Sequence, residues 1–173
     1  KRGDYKHAIA DHTKSIGLDP DDIDIYKNRA FAYYGNDDYD RAIANFTKSI
    51  SLNPDVASVY FNRGMAYYDK EDYDSAVADL TKSIKLEPGL AGVYYLRGLA
   101  YYNEKNYDDA IADFTKTIDL DSDASDAYYE RGLAYCDKRD YAEAIMDFVQ
   151  VAKLDPGHAG AMRMLELLQN KIN

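Results

Sequence analysis

Apolar residues along this chain recur three and four positions apart, in segments that come in pairs and are joined by short polar turns. Between positions 60 and 84 the pattern comprises Tyr60, Gly64 and Tyr67 in a first segment, and Tyr73, Ala76, Val77, Leu80 and Ile84 in a second. Because an α-helix makes one turn in about 3.6 residues, this spacing predicts two amphipathic helices in succession. The same pair of patterns runs along the rest of the sequence, which predicts an all-α fold built from helix pairs.

Single residue types return at a fixed interval of 34 positions. The series are Tyr39, Tyr73, Tyr107 and Tyr141, then Arg29, Arg63, Arg97 and Arg131, then Ala42, Ala76, Ala110 and Ala144. Such an interval is typical of proteins that stack one helical unit repeatedly. We therefore predict a single array over 1–173, divided into a half repeat at 1–22 that supplies only a second helix, full repeats at 23–56, 57–90, 91–124 and 125–158, and a capping helix at 159–173.

The predicted second helices share a start signal, and the repeats share an end signal. A short polar residue stands directly before the tyrosine of each second helix, at Asp4, Asp38, Asp72, Asn106 and Asp140. Such side chains accept hydrogen bonds from the unpaired amides of a first helical turn, so we predict that these residues are N-caps. The repeats close at Pro20, Pro54, Pro88 and Pro156, with Ser122 in the same place once, because proline disfavours the helical conformation in the residue before it.

These features together carry a family resemblance. One repeat combines Tyr39 with Ala42, Phe46 and the closing Pro54, and small residues recur at Ala30, Gly64, Gly98 and Gly132. On these residues the chain resembles the tetratricopeptide-repeat (TPR) family over essentially its whole length. The resemblance implies a right-handed superhelical solenoid of antiparallel helix pairs, whose first helices line a concave groove that binds another polypeptide.

The chain departs from the family pattern at an arginine series, since the family usually carries leucine at Arg29, Arg63, Arg97 and Arg131. Aspartates recur at the same step on the second helices, at Asp79, Asp113 and Asp147. An arginine stem can pack on apolar neighbours while its guanidinium pairs with a carboxylate, so we predict a structural role. The alternative is a basic ladder that binds a ligand.

Helical spacing places one further stripe of the first helices opposite their packed face, where the resemblance implies the groove. The candidate peptide-binding residues are Lys27, Asn28, Phe31, Tyr34, Phe61, Asn62, Met65, Tyr68, Tyr95, Leu99, Tyr102, Tyr129 and Glu130. Exposed apolar area of this kind marks an interaction site, and the expected ligand is an extended segment or a short helix of another protein. Tyr34, Tyr68 and Tyr102 are favoured, because tyrosine offers a rigid surface with a polar tip, whereas Phe31 and Met65 could equally pack on their neighbours.

The residue types in the predicted groove narrow the class of ligand that it could bind. A specialised group of the family carries a clamp of lysines, asparagines and an arginine for the C-terminal carboxylate of heat-shock chaperones. Lys27 and Asn62 fall on two clamp positions, but Phe31, Gly92 and Leu96 stand where polar or basic residues are needed, so that ligand is not expected. Acidic residues instead gather toward the C-terminal end of the stripe, at Asp126, Glu130 and Asp137, which predicts a ligand with a basic residue there.

The charge balance excludes several other partners. The chain has 21 Lys and Arg against 31 Asp and Glu, a formal net charge of −10. This excess disfavours nucleic acid and anionic membranes as partners. No apolar run approaches the ~20 residues of a membrane-spanning helix, and Cys136 is the only cysteine, so we expect a soluble protein and favour an intracellular one.

No residue constellation predicts an enzyme, a metal site or a cofactor. His7, His12 and His158 lie at no mutual spacing for a metal. Four acidic residues match the offsets of a calcium-binding loop, namely Asp119, Asp121, Asp123 and Glu130. However, Ala124 replaces the glycine of the sharp turn, and the repeat places Glu130 inside a helix, so calcium is not expected.

The two ends of the array differ. At the C-terminus, Met162, Leu165, Leu168 and Ile172 form an apolar stripe that predicts a solvating cap. At the N-terminus, the 1–22 half repeat lacks a first helix, which leaves an apolar edge carrying Tyr5 and Leu18. Two alternatives to peptide binding therefore stay open: homo-oligomerisation through the Lys1–Asp22 edge, and a role as the TPR portion of a larger enzyme.

Overall fold

A computed structural model of the protein describes residues 2–172, with side chains for residues 4–170. This range consists of ten α-helices and their turns, and contains no strand. The helices are α1 (Arg2–Leu18), α2 (Ile23–Tyr34), α3 (Tyr39–Leu52), α4 (Ala57–Asp69), α5 (Tyr73–Leu86), α6 (Ala91–Asn103), α7 (Tyr107–Leu120), α8 (Ser125–Lys138), α9 (Tyr141–Leu154) and α10 (Ala159–Ile172). Lys1, where the predicted half repeat begins, and the side chain of Ile172, in the predicted C-terminal stripe, lie outside the described residues. The expected all-α class is confirmed.

The helices form two compact units, Lys1–Pro88 and Gly89–Asn173, called here the N-terminal and C-terminal units. In the N-terminal unit, α2 packs on α3 and α4 on α5, while α1 packs on α2 and α3 on α4. In the C-terminal unit, α6 packs on α7 and α8 on α9, while α7 packs on α8 and α9 on α10. Because only a short turn joins the two helices of a pair, each pair is an antiparallel hairpin.

The turn inside each hairpin depends on one residue in the left-handed conformation. These residues are Asp37, Glu71, Lys105 and Arg139, with φ between 60° and 68°. In the α4–α5 turn, the N–H of Asp72 then donates to the carbonyl oxygen of Tyr67 at 2.9 Å, which closes the end of the helix. Glycine usually occupies such positions, so these four residues could not be recognised from their residue types.

The N-cap prediction holds at two of the five positions. Asp38 and Asp72 accept hydrogen bonds from the backbone N–H groups of Arg41 and Ser75, at 3.2 and 3.3 Å. The prediction for Asp4 is wrong, because α1 already begins at Arg2 and places Asp4 inside the helix.

The last two predicted caps stand at the N-cap position but make no capping hydrogen bond with their side chains. Asn106 instead donates through Nδ2 to Asp109 Oδ2 at 2.6 Å, which uses its amide within the first turn. Asp140 lies 3.8 Å from the Lys138 ammonium, and this ion pair draws its carboxylate toward the preceding helix. Helices α7 and α9 therefore begin without the side-chain cap that the sequence predicted.

Each hairpin closes at the small residue of its first helix. Gly64, Gly98 and Gly132 are buried, and a Cβ atom added at Gly98 would stand 2.8 Å from the ring of Phe114. The same addition at Gly132 would stand 2.8 Å from the ring of Phe148. A large side chain of the second helix therefore rests directly on the backbone of the first, which explains why small residues recur at this register.

The arginine series lies inside the hairpins and is structural. Arg63 donates through Nε to Asp79 Oδ2 at 2.6 Å and through Nη2 to Asp79 Oδ1 at 2.7 Å. The same two-point pairing joins Arg97 to Asp113 and Arg131 to Asp147. The hydrogen bond to Asp79 raises the pKa of Arg63 although burial acts against it. The basic-ladder alternative is wrong for these three arginines, because their guanidinium groups are already paired within the hairpin.

The first arginine and the two ends differ from this pattern. Arg29 donates through Nε to Asn45 Oδ1 at 2.8 Å, so a neutral amide replaces the carboxylate. Tyr5 is not on an open edge, because its ring packs against Gly35, whereas Leu18 is 89% exposed.

Helix α10 packs through a face slightly rotated from the predicted stripe. Ala161 and Leu168 are buried in the core of the C-terminal unit, and Met164 and Leu165 pack against it. Met162 is 44% exposed, so its place in the stripe is wrong.

Candidate functional site

The candidate residues of the N-terminal unit lie on α2 and α4. They are Lys27, Asn28, Phe31 and Tyr34 on α2, and Phe61, Asn62, Met65 and Tyr68 on α4. Asn28 and Phe31 are exposed, and the other six are partly buried. Since the 34-residue step relates α2 to α4, residues of equal register present comparable faces, and we call the two sets together the N-terminal face.

Phe31 is the most exposed large apolar side chain of this face. Its exposed fraction is 39%, yet its ring meets the buried ring of Phe46 edge-on, with centroids 5.5 Å apart and planes at 83°. Such an edge-to-face contact fixes the ring orientation. Phe31 is therefore held in place by the core while part of its ring faces solvent.

Two polar members of the N-terminal face bond to their own helix. Lys27 forms an ion pair with Asp24, and Asn62 donates through Nδ2 to the carbonyl oxygen of Ser58 at 2.6 Å. These local bonds hold both side chains along the helix surface.

The hydroxyl of Tyr34 already has a partner inside the protein. It donates to the Asp69 carboxylate at the end of α4, and the Tyr34 ring lies 5.5 Å from the ring of Tyr39. Burial and the hydrogen bond to Asp69 raise the pKa of Tyr34. Tyr34 thus links the two hairpins of the N-terminal unit, and its polar tip is not presented to a ligand as the sequence-based argument assumed.

The candidate residues of the C-terminal unit lie on α6 and α8. They are Tyr95, Leu99 and Tyr102 on α6, and Tyr129 and Glu130 on α8, all partly buried. Tyr102 repeats the arrangement of Tyr34, because its hydroxyl donates to Asp137 Oδ2 at 2.6 Å. Burial and this hydrogen bond likewise raise the pKa of Tyr102. The five residues are called here the C-terminal face.

The sequence contained the signal for these tyrosine–aspartate bonds. Each aspartate follows its tyrosine by 35 positions, one more than the repeat, as Asp69 follows Tyr34 and Asp137 follows Tyr102. The offset exceeds the repeat length by one residue because the hydrogen bond joins the first helices of two neighbouring hairpins, not the two helices of one hairpin. Scanning only the 34-residue register misses it.

Glu130 sits in an unfavourable place for a charge. Burial raises its pKa first, and the nearby Asp126 carboxylate raises it further, while His158 acts in the opposite direction. Its neighbour Tyr129 packs on Phe148, with centroids 5.7 Å apart, and on His158 at 4.6 Å. The C-terminal face therefore combines aromatic surface with a negative potential.

A cleft of about 430 Å³ opens beside the C-terminal face. Its walls are the first turns of α6 and α8 and the end of α7, including Gly92, Tyr95 and the acidic residues Asp121, Asp123 and Asp126. Sequence reasoning placed Tyr95 and Asp126 along the predicted groove but did not anticipate this local cleft between α6, α7 and α8. The small residues Gly92 and Ala124 are part of its lining, and small side chains carry no hydrophobic or charge signal in a sequence.

The structure also locates the residues of the rejected calcium pattern. Asp119 lies within α7 and Glu130 within α8, on either side of a turn. Within residues 2–172, none of the ten helices combines the length and the apolar character that a bilayer span requires.

Comparison with known proteins gives the family. Models of the tetratricopeptide repeat match residues 23–56, 57–90 and 95–159. A comparison with curated proteins found no significant match.

Solved structures share the fold. The crystal structure of MamA is 27% identical, with a TM-score of 0.87 over 91% of this chain and 92% of that one. MamA from Desulfovibrio magneticus RS-1 is 24% identical, with a TM-score of 0.86 over 91% and 89% of the two chains. YrrB, described as a TPR protein with an unusual peptide-binding site, is 20% identical, with a TM-score of 0.84 over 93% and 83%. With the repeats at 23–56, 57–90 and 125–158 matched completely and the repeat at 91–124 matched from residue 95 onward, the chain belongs to the tetratricopeptide-repeat family.

Proposed function

We propose that this chain is a non-catalytic protein–protein interaction module that binds a peptide segment or a helix of a partner on its N-terminal and C-terminal faces. The observation that carries the proposal is Phe31, a large apolar ring that is 39% exposed and yet anchored on Phe46. TPR proteins are generally interaction scaffolds, and the likeness to YrrB establishes the fold. The case for a peptide ligand therefore rests on the side chains of this chain.

Anchored aromatic rings suit the recognition of a flexible partner. A side chain whose rotamer is fixed before binding loses little entropy when the partner covers it. Phe31 and Tyr95 each rest on a buried ring of the second helix, Phe46 and Phe114 respectively. Aromatic residues held in this way are enriched among the residues that dominate binding energy.

The tyrosine hydroxyls have a supporting role in this proposal. Tyr34 and Tyr102 use their hydroxyls on Asp69 and Asp137, so they contribute ring surface rather than a donor. The apolar members of the faces, such as Phe31, Met65 and Leu99, then supply the area that a partner covers. This reverses the preference that the sequence alone suggested.

The charged residues of the two faces indicate where the ligand should carry a positive charge. Lys27 is paired with Asp24, whereas the C-terminal face carries Glu130 beside Asp126. A basic residue in the segment that lies on the C-terminal face would reduce the repulsion there. The proposed partner is therefore a peptide with apolar residues and a basic residue toward the C-terminal unit.

The experiment is selection from a peptide library, followed by titration of the selected peptide against matched variants. Phe31→Ala and Met65→Ala remove apolar area from the N-terminal face, and Met146→Ala removes a 64% exposed methionine from α9 as the control. We expect binding to weaken about tenfold or more in the face variants and not in the control. Equal binding by all three would place the ligand elsewhere and overturn the proposal.

Self-association is a second candidate, favoured by one observation. Leu18 at the end of α1 is 89% exposed, so it offers apolar surface that a second copy of the chain could cover. Sedimentation at increasing concentration, with Leu18→Glu as the variant, tests it. A mass that rises with concentration and returns to the monomer value in the variant would support association through α1.

A further inference from the structure

One arginine of the hairpin series lacks the carboxylate that pairs with its three counterparts. Arg29 donates through Nε to Asn45 Oδ1 at 2.8 Å, and Asn45 Nδ2 is turned to the carbonyl oxygen of Arg41, to which it donates at 2.7 Å. In the next hairpin the Nη2 group of Arg63 donates to Asp79 Oδ1 at 2.7 Å, whereas the Nη2 group of Arg29 has no acceptor among the described residues. The α2–α3 hairpin therefore contains a guanidinium group that forms no ion pair within the part of the chain that the structure describes.

The unpaired side of this guanidinium is in contact with solvent. Among the described residues, the only fully buried side-chain nitrogen or oxygen atom without a hydrogen bond is Ser125 Oγ, so Arg29 Nη2 is not sealed inside the protein. The Nη1 group of Arg29 donates to the hydroxyl of Thr13 at 3.1 Å, and this bond is exposed as well. An accessible N–H group on a fixed cation suits an external anion, because hydrogen bonds between charged groups are stronger than neutral ones.

A second cation shares the surroundings of Arg29. The Lys48 ammonium lies 5.7 Å from the centroid of the Tyr26 ring, and the Arg29 guanidinium carbon lies 5.8 Å from the same centroid. The Tyr26 ring is only 8% exposed, so it is fixed and holds both cations at defined places. Two like charges beside one ring repel each other, and an anion bound between them would relieve that repulsion.

Two further second helices of the N-terminal unit carry lysine at the register of Lys48. Lys14 lies on α1 and Lys82 on α5, and Lys82 repeats the contact with an aromatic ring, at 5.8 Å from the centroid of Tyr60. Lys85 follows Lys82 by one turn. The residues four before and three after each lysine of this register lie on the same side of the helix, and none of them is aspartate or glutamate. We call Lys14, Lys48, Lys82 and Lys85 the basic stripe.

Little internal negative charge offsets the basic stripe. Lys14 forms an ion pair with Asp11 at 3.9 Å, but both side chains are exposed, and such pairs contribute little. None of the other three lysines forms an ion pair with another described residue. In the C-terminal unit, α7 carries Lys116 with Asp119 one turn after it, and α9 carries Gln150 at the same register. At these registers the positive excess is therefore a property of the N-terminal unit, in a chain whose formal net charge is −10.

We propose that the basic stripe and Arg29 bind an acidic segment of a partner protein, on a surface separate from the N-terminal face. One carboxylate of the segment accepts hydrogen bonds from Arg29 Nη2 and from the Lys48 ammonium beside the Tyr26 ring. Further carboxylates lie along Lys14 and Lys82 on the neighbouring second helices. Because the cations recur once per hairpin and do not converge on one point, they complement several side-chain carboxylates better than a single phosphate group.

The probe is acetyl-hexaglutamate amide, titrated at low ionic strength into ¹⁵N-labelled protein, with acetyl-hexaglutamine amide as the neutral control. We expect saturable shifts of the Arg29 Nε–H signal and of the Thr13 and Asn45 amides with the glutamate peptide, and we expect added salt to weaken them. The glutamine peptide should cause no saturable shift. Shifts that do not saturate, or equal shifts with both peptides, would overturn the proposal.

Asn45→Asp tests the vacant ion pair directly. The substitution restores the carboxylate that the other three hairpins carry, so the Arg29 guanidinium is occupied from inside the hairpin. We expect the glutamate peptide to bind about tenfold more weakly to this variant. The melting temperature should be equal to that of wild type or higher, which shows that the loss of binding does not come from unfolding.

A matched pair of lysine variants tests the basic stripe. Lys48→Gln removes the cation beside Tyr26, and Lys116→Gln removes the lysine at the same register of the C-terminal unit as the control. We expect binding of the glutamate peptide to weaken about tenfold in Lys48→Gln and to persist in Lys116→Gln. Unchanged binding in both Asn45→Asp and Lys48→Gln would contradict the assignment.

Inorganic phosphate tests the other source of negative charge. If the site binds an acidic segment, phosphate should shift the Arg29 signal only at concentrations well above those of the glutamate peptide, because a single anion reaches fewer of the cations. Saturation by phosphate at a lower concentration than by the peptide would assign the surface to a phosphate group and overturn the acidic-segment proposal.

Discussion

Arg63 donates through Nη1 to the hydroxyl of Thr47 at 2.9 Å, while its other two nitrogens hold Asp79. One guanidinium therefore joins three helices, α3, α4 and α5, and connects one hairpin to the next. Arg131 does the same in the C-terminal unit through Thr115 and Asp147. The arginine series, which departs from the family pattern, is thus part of the contact between successive hairpins.

Removal of the carboxylate should be strongly destabilising. Asp79→Ala leaves the Arg63 guanidinium, whose side chain is 16% exposed, without its main partner, so we expect unfolding free energy to fall by about 3–5 kcal/mol. Urea denaturation followed by circular dichroism measures the change. Asp74→Ala on the exposed side of α5 is the control and should change stability by less than about 0.5 kcal/mol. A loss of similar size in both variants would show that the pair is not responsible.

The threonine contributes less than the carboxylate. Thr47→Val keeps the shape of the side chain and removes the acceptor of the Arg63 hydrogen bond, so we expect a loss of about 0.5–1.5 kcal/mol. The double variant with Asp79→Ala should be non-additive, because both residues share one guanidinium. A double-mutant cycle by urea denaturation measures the coupling. Strict additivity would mean that the two bonds are independent.

Replacement by alanine should change protein stability in opposite directions at two glycines of α6. Gly98→Ala places a Cβ atom 2.8 Å from the buried Phe114 ring, so the ring must shift and we expect a loss of about 1 kcal/mol despite the better helix former. Gly92→Ala meets nothing within 4 Å and should gain about 0.5–1 kcal/mol. Thermal denaturation of both variants measures the two changes in stability. A gain in both would show that Phe114 yields freely, as Phe46 does beside Ala30.

The tyrosine–aspartate bonds set a limit on alkaline stability. The pKa values of Tyr34 and Tyr102 are raised by burial and by hydrogen bonds to Asp69 and Asp137. A raised pKa in the folded state means that their contribution to stability is complete below the unfolded value of about 10 and is lost as the pH rises above it. Tyrosinate absorbance should show a late-titrating component that shrinks in Tyr34→Phe and in Tyr102→Phe. A single transition near pH 10 in wild type would contradict a role for these hydrogen bonds in the titration of Tyr34 and Tyr102.

Ionisation of the Glu130 side chain should destabilise the folded state. Because burial and Asp126 raise its pKa, its ionised form destabilises the folded state, and the penalty appears as the pH rises through that pKa. Glu130→Gln removes the charge, so we expect a higher melting temperature than wild type at pH 7 and an equal one below about pH 4, where both side chains are neutral. Melting curves over this range provide the test. A constant difference at every pH would indicate a packing effect instead.

Sequence reasoning found the features that repeat in register. The helix pairs, the small residues such as Gly98, and the pairing of Arg97 with Asp113 all follow from residues that recur at one step of 34 and from the size or charge of their side chains. Such contacts occur within one hairpin, so a single period reveals both partners.

Contacts between hairpins and irregular features were missed for physical reasons. The bond from Tyr102 to Asp137 joins different repeats at an offset of 35, and the Arg131 contact with Thr115 runs backward to the previous hairpin. The cleft is lined in part by Ala124 and Gly92, and small side chains give no hydrophobic or charge signal. The exposure of Met162 depends on the rotation of α10, which a period of 3.6 fixes only to within a residue.

The left-handed residues of the hairpin turns have a consequence for engineering. A side chain at positive φ costs roughly 1–2 kcal/mol relative to the same backbone in glycine, and four charged residues carry that cost here: Asp37, Glu71, Lys105 and Arg139. The chain thus holds unused thermostability at four separate surface turns. At three of them the turn adjoins a face, because the N–H groups of Asp37, Glu71 and Lys105 donate to the carbonyl oxygens of Tyr34, Tyr68 and Tyr102. A designer could recover it by glycine replacement, turn by turn, and then have room to rebuild the recognition faces with side chains that the native chain could not tolerate.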